Sequence, residues 1–98
     1  SGGQQQMVAI GRALMMNPRL LLCDEISLGL SPRIIADIYE VLPRIRDHGV
    51  SMILVEQDIT RALAMADHFA CMLEGRVSLA GRTGEVPREK IAASYFGE

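Results

Sequence analysis

The chain has 98 residues, 49% of them apolar, and a formal charge of −2 at neutral pH. That is room for one small domain with a core and modest stability. With 4% aromatic residues and no basic block, it offers little to neutralise phosphates or stack bases, which argues against nucleic acid as a principal partner. No apolar run reaches the length of about 20 residues that a membrane-spanning helix needs, and no secretory leader pattern is present.

The chain opens Ser1-Gly2-Gly3-Gln4-Gln5-Gln6. Met7, Ile10 and Leu14 then fall on one helical stripe, with Val8, Gly11 and Met15 beside it. Asn17-Pro18 ends the pattern, because a residue before proline is pushed out of the α region. Ser-Gly-Gly at a helix start brings a hydroxyl, a backbone that a ligand can approach closely, and free N–H groups that suit a phosphate. Alone, the same stretch strongly favours a plainer reading, an N-cap with a flexible cloning scar.

Leu20 to Glu25, Leu-Leu-Leu-Cys-Asp-Glu, reads as a strand buried on both faces, as in parallel sheets. Asp24 and Glu25 then lie at its carboxyl end, the edge where open α/β sheets bind ligands. Adjacent acids there divide the work of phosphoryl transfer: one holds Mg²⁺ and the other orients or deprotonates a water. Taken alone, the stretch is as well read as a buried strand followed by a solvated acidic turn.

Ser31 and Pro32 suit the N-cap and first position of a helix. Ile34, Ile35, Ile38, Leu42 and Ile45 form its stripe, Pro43 predicts a kink or break near Tyr39–Leu42, and Gly49 stops it. Ser51–Glu56 is a second buried strand, so the unit implies a parallel crossover. Asp58 caps a short helix, Ile59–Ala66. Phe69–Glu74 and Val77–Ala80 flank a hairpin turn at Gly75-Arg76, Gly81–Gly84 is a loop, and Pro87–Phe96 is a last helix ended by Gly97, with Ile91 and Tyr95 as its apolar contact. Cys23 and Cys71 read as buried, reduced thiols of a cytosolic protein. His48 suits a helix end, His68 a structural hydrogen bond, and no His/Cys cluster has zinc spacing.

Ser1 to Gln6, Gly11-Arg12-Ala13-Leu14 and Leu20 to Glu25, taken together, resemble the ATPase subunit of ATP-binding cassette transporters. The first block is similar to the signature motif without its leading Leu, and the third to the Walker B strand with its catalytic Glu. Ser27-Leu28-Gly29-Leu30-Ser31-Pro32 resembles the D-loop. Ile53 to Asp58 resembles the switch strand and loop, and Ala66-Asp67 fits the family's Ala-Asp. No Gly-x-x-x-x-Gly-Lys-Ser/Thr occurs in the 98 residues. The resemblance therefore implies the C-terminal half of a P-loop NTPase-like α/β fold: a parallel sheet core with flanking helices, then a β-hairpin and helix, with residues 1–98 beginning inside the signature motif.

The resemblance also implies roles. Asp24 binds Mg²⁺ and Glu25 is the general base. Ser1, Gly2, Gly3 and Gln4 contact the ATP of the opposite subunit in a head-to-tail dimer. Ser27, Leu28, Gly29, Leu30 and Ser31 line that dimer interface. Gln57 stands in place of the switch His and positions phosphate, since an amide cannot take a proton at neutral pH. Ile26 replaces the usual Pro after Asp-Glu and does not fit the branch named below, and its effect on the turn is left open. Ser31 and Gln57, with Leu28-Gly29-Leu30 and the closing Ser94-Tyr95-Phe96-Gly97, resemble the ATPases of branched-chain amino acid importers, cytoplasmic subunits held at the membrane by permeases. ATP and Mg²⁺ belong to the intact subunit. The 98 residues alone are expected to bind neither, to lack activity, and to self-associate through open strand edges, unless Phe69–Glu74 closes one edge within the chain. A non-catalytic module that only folds or associates, and the ATPase of a non-transport cassette protein, are the alternative readings.

Overall fold

The computed structural model describes residues 2–96, with the side chain of Phe96 excepted. In chain order the elements are α1 (Gly2–Met15), β1 (Leu20–Asp24), α2 (Pro32–Asp47), β2 (Ser51–Val55), α3 (Ile59–Met65), β3 (His68–Leu73), β4 (Arg76–Arg82) and α4 (Arg88–Phe96). They form two compact units that divide after Gln57.

In the first unit β1 and β2 pair in parallel, from Leu20 opposite Ser51 to Asp24 opposite Val55. The expected crossover through α2 is therefore present. Bonds at both ends extend the ladder, from Ser51 N–H to the Arg19 carbonyl (2.9 Å) and from Glu25 N–H to the Val55 carbonyl (2.8 Å). Among its described residues the buried hydrophobic ones are Ile10, Leu21, Cys23, Ile26, Ile38, Leu42 and Ile45, and Gly3 is buried as well.

Burial along β1 alternates. Leu21 and Cys23 are inside, whereas Leu22 is 68% exposed; Ile53 and Val55 of β2 are also exposed. The expectation of strands buried on both faces is thus corrected. Successive side chains point to opposite sides of a strand, and among the described residues of this unit only one side is covered.

The break expected at Pro43 does not occur, and α2 runs unbroken from Pro32 to Asp47. A proline removes one hydrogen bond, here the one to the Tyr39 carbonyl. Against that loss, Ile38 and Leu42 are each only 1% exposed. Both ends of the helix are also satisfied. Ser31 Oγ accepts from Ile34 N–H, and Gly49, at φ +92°, donates its N–H to the Arg46 carbonyl. His48 caps this end, its Nδ1 2.7 Å from the Arg44 carbonyl.

In the second unit Asp58 caps α3 by accepting from Arg61 N–H. β3 and β4 form an antiparallel sheet of their own, so the segment expected as strand Phe69–Glu74 does not close the first sheet. The turn sits one residue earlier than expected. Leu73 pairs with Arg76, and Glu74 and Gly75 both take positive φ, 51° and 77°. That is the type I′ geometry, whose twist matches the flanking strands. β4 also runs on to Arg82 through Gly81, which pairs with Phe69, where a loop was expected. A shift in register between Cys71 and Met72 leaves Ser78 as the extra residue of a bulge, and its hydroxyl donates to the Cys71 carbonyl at 3.3 Å. Ile91 of α4 is buried and Tyr95 half-buried; Gly97 lies outside the described residues.

Both cysteines are free and buried. Burial pushes both thiols up from the ordinary cysteine range, which keeps them protonated and unreactive near neutral pH. No helix among the described residues is long and apolar enough to cross a membrane.

The helix through Pro43 gives two predictions of opposite sign. Leu42→Ala lowers the unfolding free energy by about 2–5 kcal/mol through the cavity it leaves. Pro43→Ala raises it by about 1–2 kcal/mol, because the restored hydrogen bond and better helix propensity outweigh the looser unfolded chain. Urea midpoints at unchanged slope check both, and a lower midpoint for Pro43→Ala contradicts the account of α2.

Candidate functional site

The parallel pairing places the ends of β1 and β2 side by side. Asp24 is the last residue of β1, and its side chain is exposed. Glu25 follows with φ +50°, a left-handed conformation that costs a residue with a Cβ about 1–2 kcal/mol. Hydrogen bonds over-determine it: the Glu25 N–H is tied to Val55, and the Glu25 carbonyl accepts from Leu28 N–H at 3.1 Å. The reversal takes Glu25 out of the strand's alternation and leaves the residue half-buried. Strain held in this way is characteristic of functional positions.

Gln57 meets Glu25 across the gap. Its Nε2 donates to Glu25 Oε1 at 2.9 Å. The two residues are 32 apart in sequence, and the β1–β2 register joins them.

Beside them runs the turn from Ser27 to Leu30. Leu30 N–H bonds the Ser27 carbonyl at 3.2 Å, and Gly29 supplies a φ of +76°. The Ser27 hydroxyl lies 2.9 and 2.8 Å from the two carboxylate oxygens of Glu56. The same carboxylate accepts from the Tyr39 hydroxyl at 2.6 Å and from Gln57 N–H at 3.1 Å. Sequence reasoning passed over Glu56. The signal was available: Val55-Glu56, like Cys23-Asp24, is a carboxylate at the end of an apolar strand.

Ile26 is anchored in the turn. Its side chain is buried, and its carbonyl accepts from Gln6 Nε2 of α1 at 2.9 Å. Buried area and a hydrogen bond together hold the turn, where a proline would hold it by ring stiffness.

Of the expected phosphate-contacting residues, Ser1 lies outside the described residues, and Gly2, Gly3 and Gln4 form the first turn of α1. The glycines have a packing role that the sequence did not show. A Cβ on Gly2 would lie 2.9 Å from Leu30 Cδ2, and one on Gly3 would overlap the side chain of Ile34. Their missing side chains let α1 settle against the start of α2.

Asp24 and Glu25 supply hard oxygen donors. Mg²⁺ is commonly held by one or two carboxylates with the rest of its shell from water and phosphate, so the donor set fits that ion. No group of three or more His, Cys, Asp or Glu with metal-binding geometry occurs among the described residues.

Comparison with known proteins places this geometry. Residues 1–27 match the sequence family described as ABC transporter. Over 99% of its length the chain is 53% identical to the high-affinity branched-chain amino acid transport ATP-binding protein BraG of Pseudomonas aeruginosa, covering 42% of that protein. Its fold matches the ADP conformation of MJ1267, an ATP-binding cassette of an ABC transporter, with a TM-score of 0.82 and 32% identity, over 100% of this chain and 41% of the other. The chain is similar along its whole length to part of the ATP-binding cassette proteins. It also matches MJ0796, a cassette solved as a dimer in a post-hydrolysis state with ADP and Pi, at a TM-score of 0.75 and 30% identity, over 88% of this chain and 37% of that one. The chain thus spans under half the length of these relatives. Its fold is the α/β, P-loop NTPase-like carboxyl-terminal part of the cassette.

In this cassette segment Gly3→Ala reverses an ordinary rule. Alanine for glycine inside a helix normally stabilises by about 1 kcal/mol. Here the added methyl meets Ile34, so we expect a net loss of about 1–3 kcal/mol from overpacking. Pairing it with Ile34→Ala should recover part of the loss in thermal melts; an additive double variant contradicts the packing role.

Proposed function

We propose that the chain is the carboxylate-bearing part of a transporter ATP-binding subunit that hydrolyses ATP to drive import, with branched-chain amino acids as the cargo. The observation that carries this is the Gln57–Glu25 hydrogen bond beside Asp24, formed where the two parallel strands end. The name of the 53%-identical relative supports the amino acid assignment; importer rather than non-transport use rests on the same support.

In this reading Glu25 is the general base. Its carboxylate accepts a proton from water as the water oxygen bonds to the γ-phosphorus and the bond to the ADP oxygen breaks. Gln57 holds one carboxylate oxygen of Glu25 and leaves the other for the water. Asp24 holds Mg²⁺, directly or through water; when bound, that ion neutralises charge on the phosphate oxygens. Ser1, Gly2, Gly3 and Gln4 contact the γ-phosphate of ATP held by an opposite subunit, in a head-to-tail dimer along Ser27 to Ser31. The dimeric state of the MJ0796 cassette supports that arrangement. Membrane permease subunits would hold the assembly at the cytoplasmic face.

The 98 residues contain no phosphate-cradling loop, so alone they should release phosphate no faster than background. Their exposed apolar row of Leu20, Leu22, Ile53 and Val55 should drive self-association, because a patch of that kind rarely stays bare. Sedimentation at micromolar concentration checks this, and a clean monomer contradicts it.

The catalytic roles are tested in a subunit that joins this sequence to a P-loop portion. Glu25→Gln should cut turnover by about a hundredfold or more while ATP still binds, the loss expected of a general base. Asp24→Asn should also weaken Mg²⁺-dependent binding. Gln57→Ala should cost less than Glu25→Gln, since it removes a positioning contact and no base. Equal losses for Gln57→Ala and Glu25→Gln in steady-state assays would refute this division of labour.

A further inference from the structure

Three segments converge on the Glu56 carboxylate. Ser27 reaches it from the turn after Glu25, Tyr39 from the middle of α2, and the Gln57 N–H from the segment leaving β2. Gln57 in turn holds Glu25. Both partners of the Glu25–Gln57 contact are therefore referenced to one half-buried group. Ser27 lies two residues beyond Glu25, and Gln57 is bonded through its own backbone.

We infer that Glu56 is a positioning residue for the hydrolytic site: its carboxylate fixes the backbone at Gln57 and the turn at Ser27, and so sets the Gln57–Glu25 hydrogen bond. The inference deepens the proposed function and rests on the reading of Glu25 as base. The Gln57 side chain is exposed, and an exposed amide with free rotamers is a poor clamp. A carboxylate bonded to three segments is a rigid reference because charge-assisted hydrogen bonds are short and strong. The Tyr39 contact carries that reference to α2, the helix that holds the buried stripe of Ile38, Leu42 and Ile45.

The chemistry makes a graded set of variants. In Glu56→Gln the amide oxygen still accepts from Ser27 and Gln57, and the new NH₂ donates to the Tyr39 oxygen, since a phenol both donates and accepts. Glu56→Ala removes every acceptor. Ser27→Ala removes the turn's tie with little change in volume.

The first test uses the 98-residue chain and no nucleotide. In ¹⁵N NMR the Gln57 side-chain amide is expected to sit apart from free glutamine in the parent and in Glu56→Gln. In Glu56→Ala and Ser27→Ala it should move toward the free position and exchange with water at least about tenfold faster, as the loss of a protecting contact implies. Ser27→Ala keeps the test decisive if Glu56→Ala does not fold. An unchanged Gln57 amide in the folded variants overturns the inference, as does a Glu56→Gln signal no closer to the parent's than that of Glu56→Ala.

The second test reads turnover in the P-loop-joined subunit. Glu56→Ala should lower kcat by about ten- to a hundredfold, the effect of misplacing a catalytic group by around an ångström, with the KM for ATP within about twofold, and Glu56→Gln should recover most of that. A loss confined to KM overturns it. Should Glu25→Gln leave turnover intact, the base assignment fails, while the NMR result still decides whether Glu56 positions Gln57.

Discussion

The site depends on one hydrogen bond, from the Glu25 N–H to the Val55 carbonyl. It is the first bond beyond the β1–β2 ladder, and it holds a glutamate in a left-handed conformation that the residue would not adopt unaided. The parallel register brings residue 57 to residue 25, and the reversal at Glu25 lifts the carboxylate out of the strand's alternation. An antiparallel pair would return the chain through a short turn and leave no room for α2, whose Tyr39 reaches the same cluster.

The elements most visible in the sequence were those whose signals are local. Ser31, Pro32 and Gly49 bound α2 through capping geometry that depends only on neighbouring residues. Asp58 does the same for α3. Leu20 to Asp24 and Ser51 to Val55 stood out by composition. What composition did not show was how many layers cover a strand. Leu22 and Ile53 suit a buried face and an exposed one equally, because an apolar residue carries no mark of which side of a sheet is packed. The same limit applies to Pro43. Its local cost was legible, but the burial of Ile38 and Leu42 that outweighs it is a property of tertiary packing.

The hairpin shows a subtler limit. Gly75 was the evident turn residue, yet a type I′ turn needs two left-handed positions, and Glu74 takes the other. Glutamate is not a residue that advertises such a conformation. The pairing of Leu73 with Arg76 fixes the loop at two residues, and loop length then selects the turn type. In the site itself, the sequence singled out Asp24, Glu25 and Gln57, two of which the fold brings into contact, but not the residue that gathers their surroundings. Glu56 bonds partners 17 and 29 positions away, a relation no window along the chain contains.

Gly2 and Gly3 show how one sequence feature serves two demands. Read as a string, Ser-Gly-Gly at a helix start suggests a phosphate cradle. In the fold, Gly3 is where Ile34 packs and Gly2 is where Leu30 approaches. Both demands reduce to the absence of a Cβ. The amino end of α1 is seated directly on the turn that follows Glu25, and Gln6 of the same helix bonds the Ile26 carbonyl within that turn. A ligand contact that displaced the start of α1 would therefore be felt at Leu30 and Ile26, and from there at Ser27 and Glu56. Close-packed contacts of this kind deform little. The glycines join the start of α1 to the turn that follows Glu25, with no side chain between them to absorb a displacement.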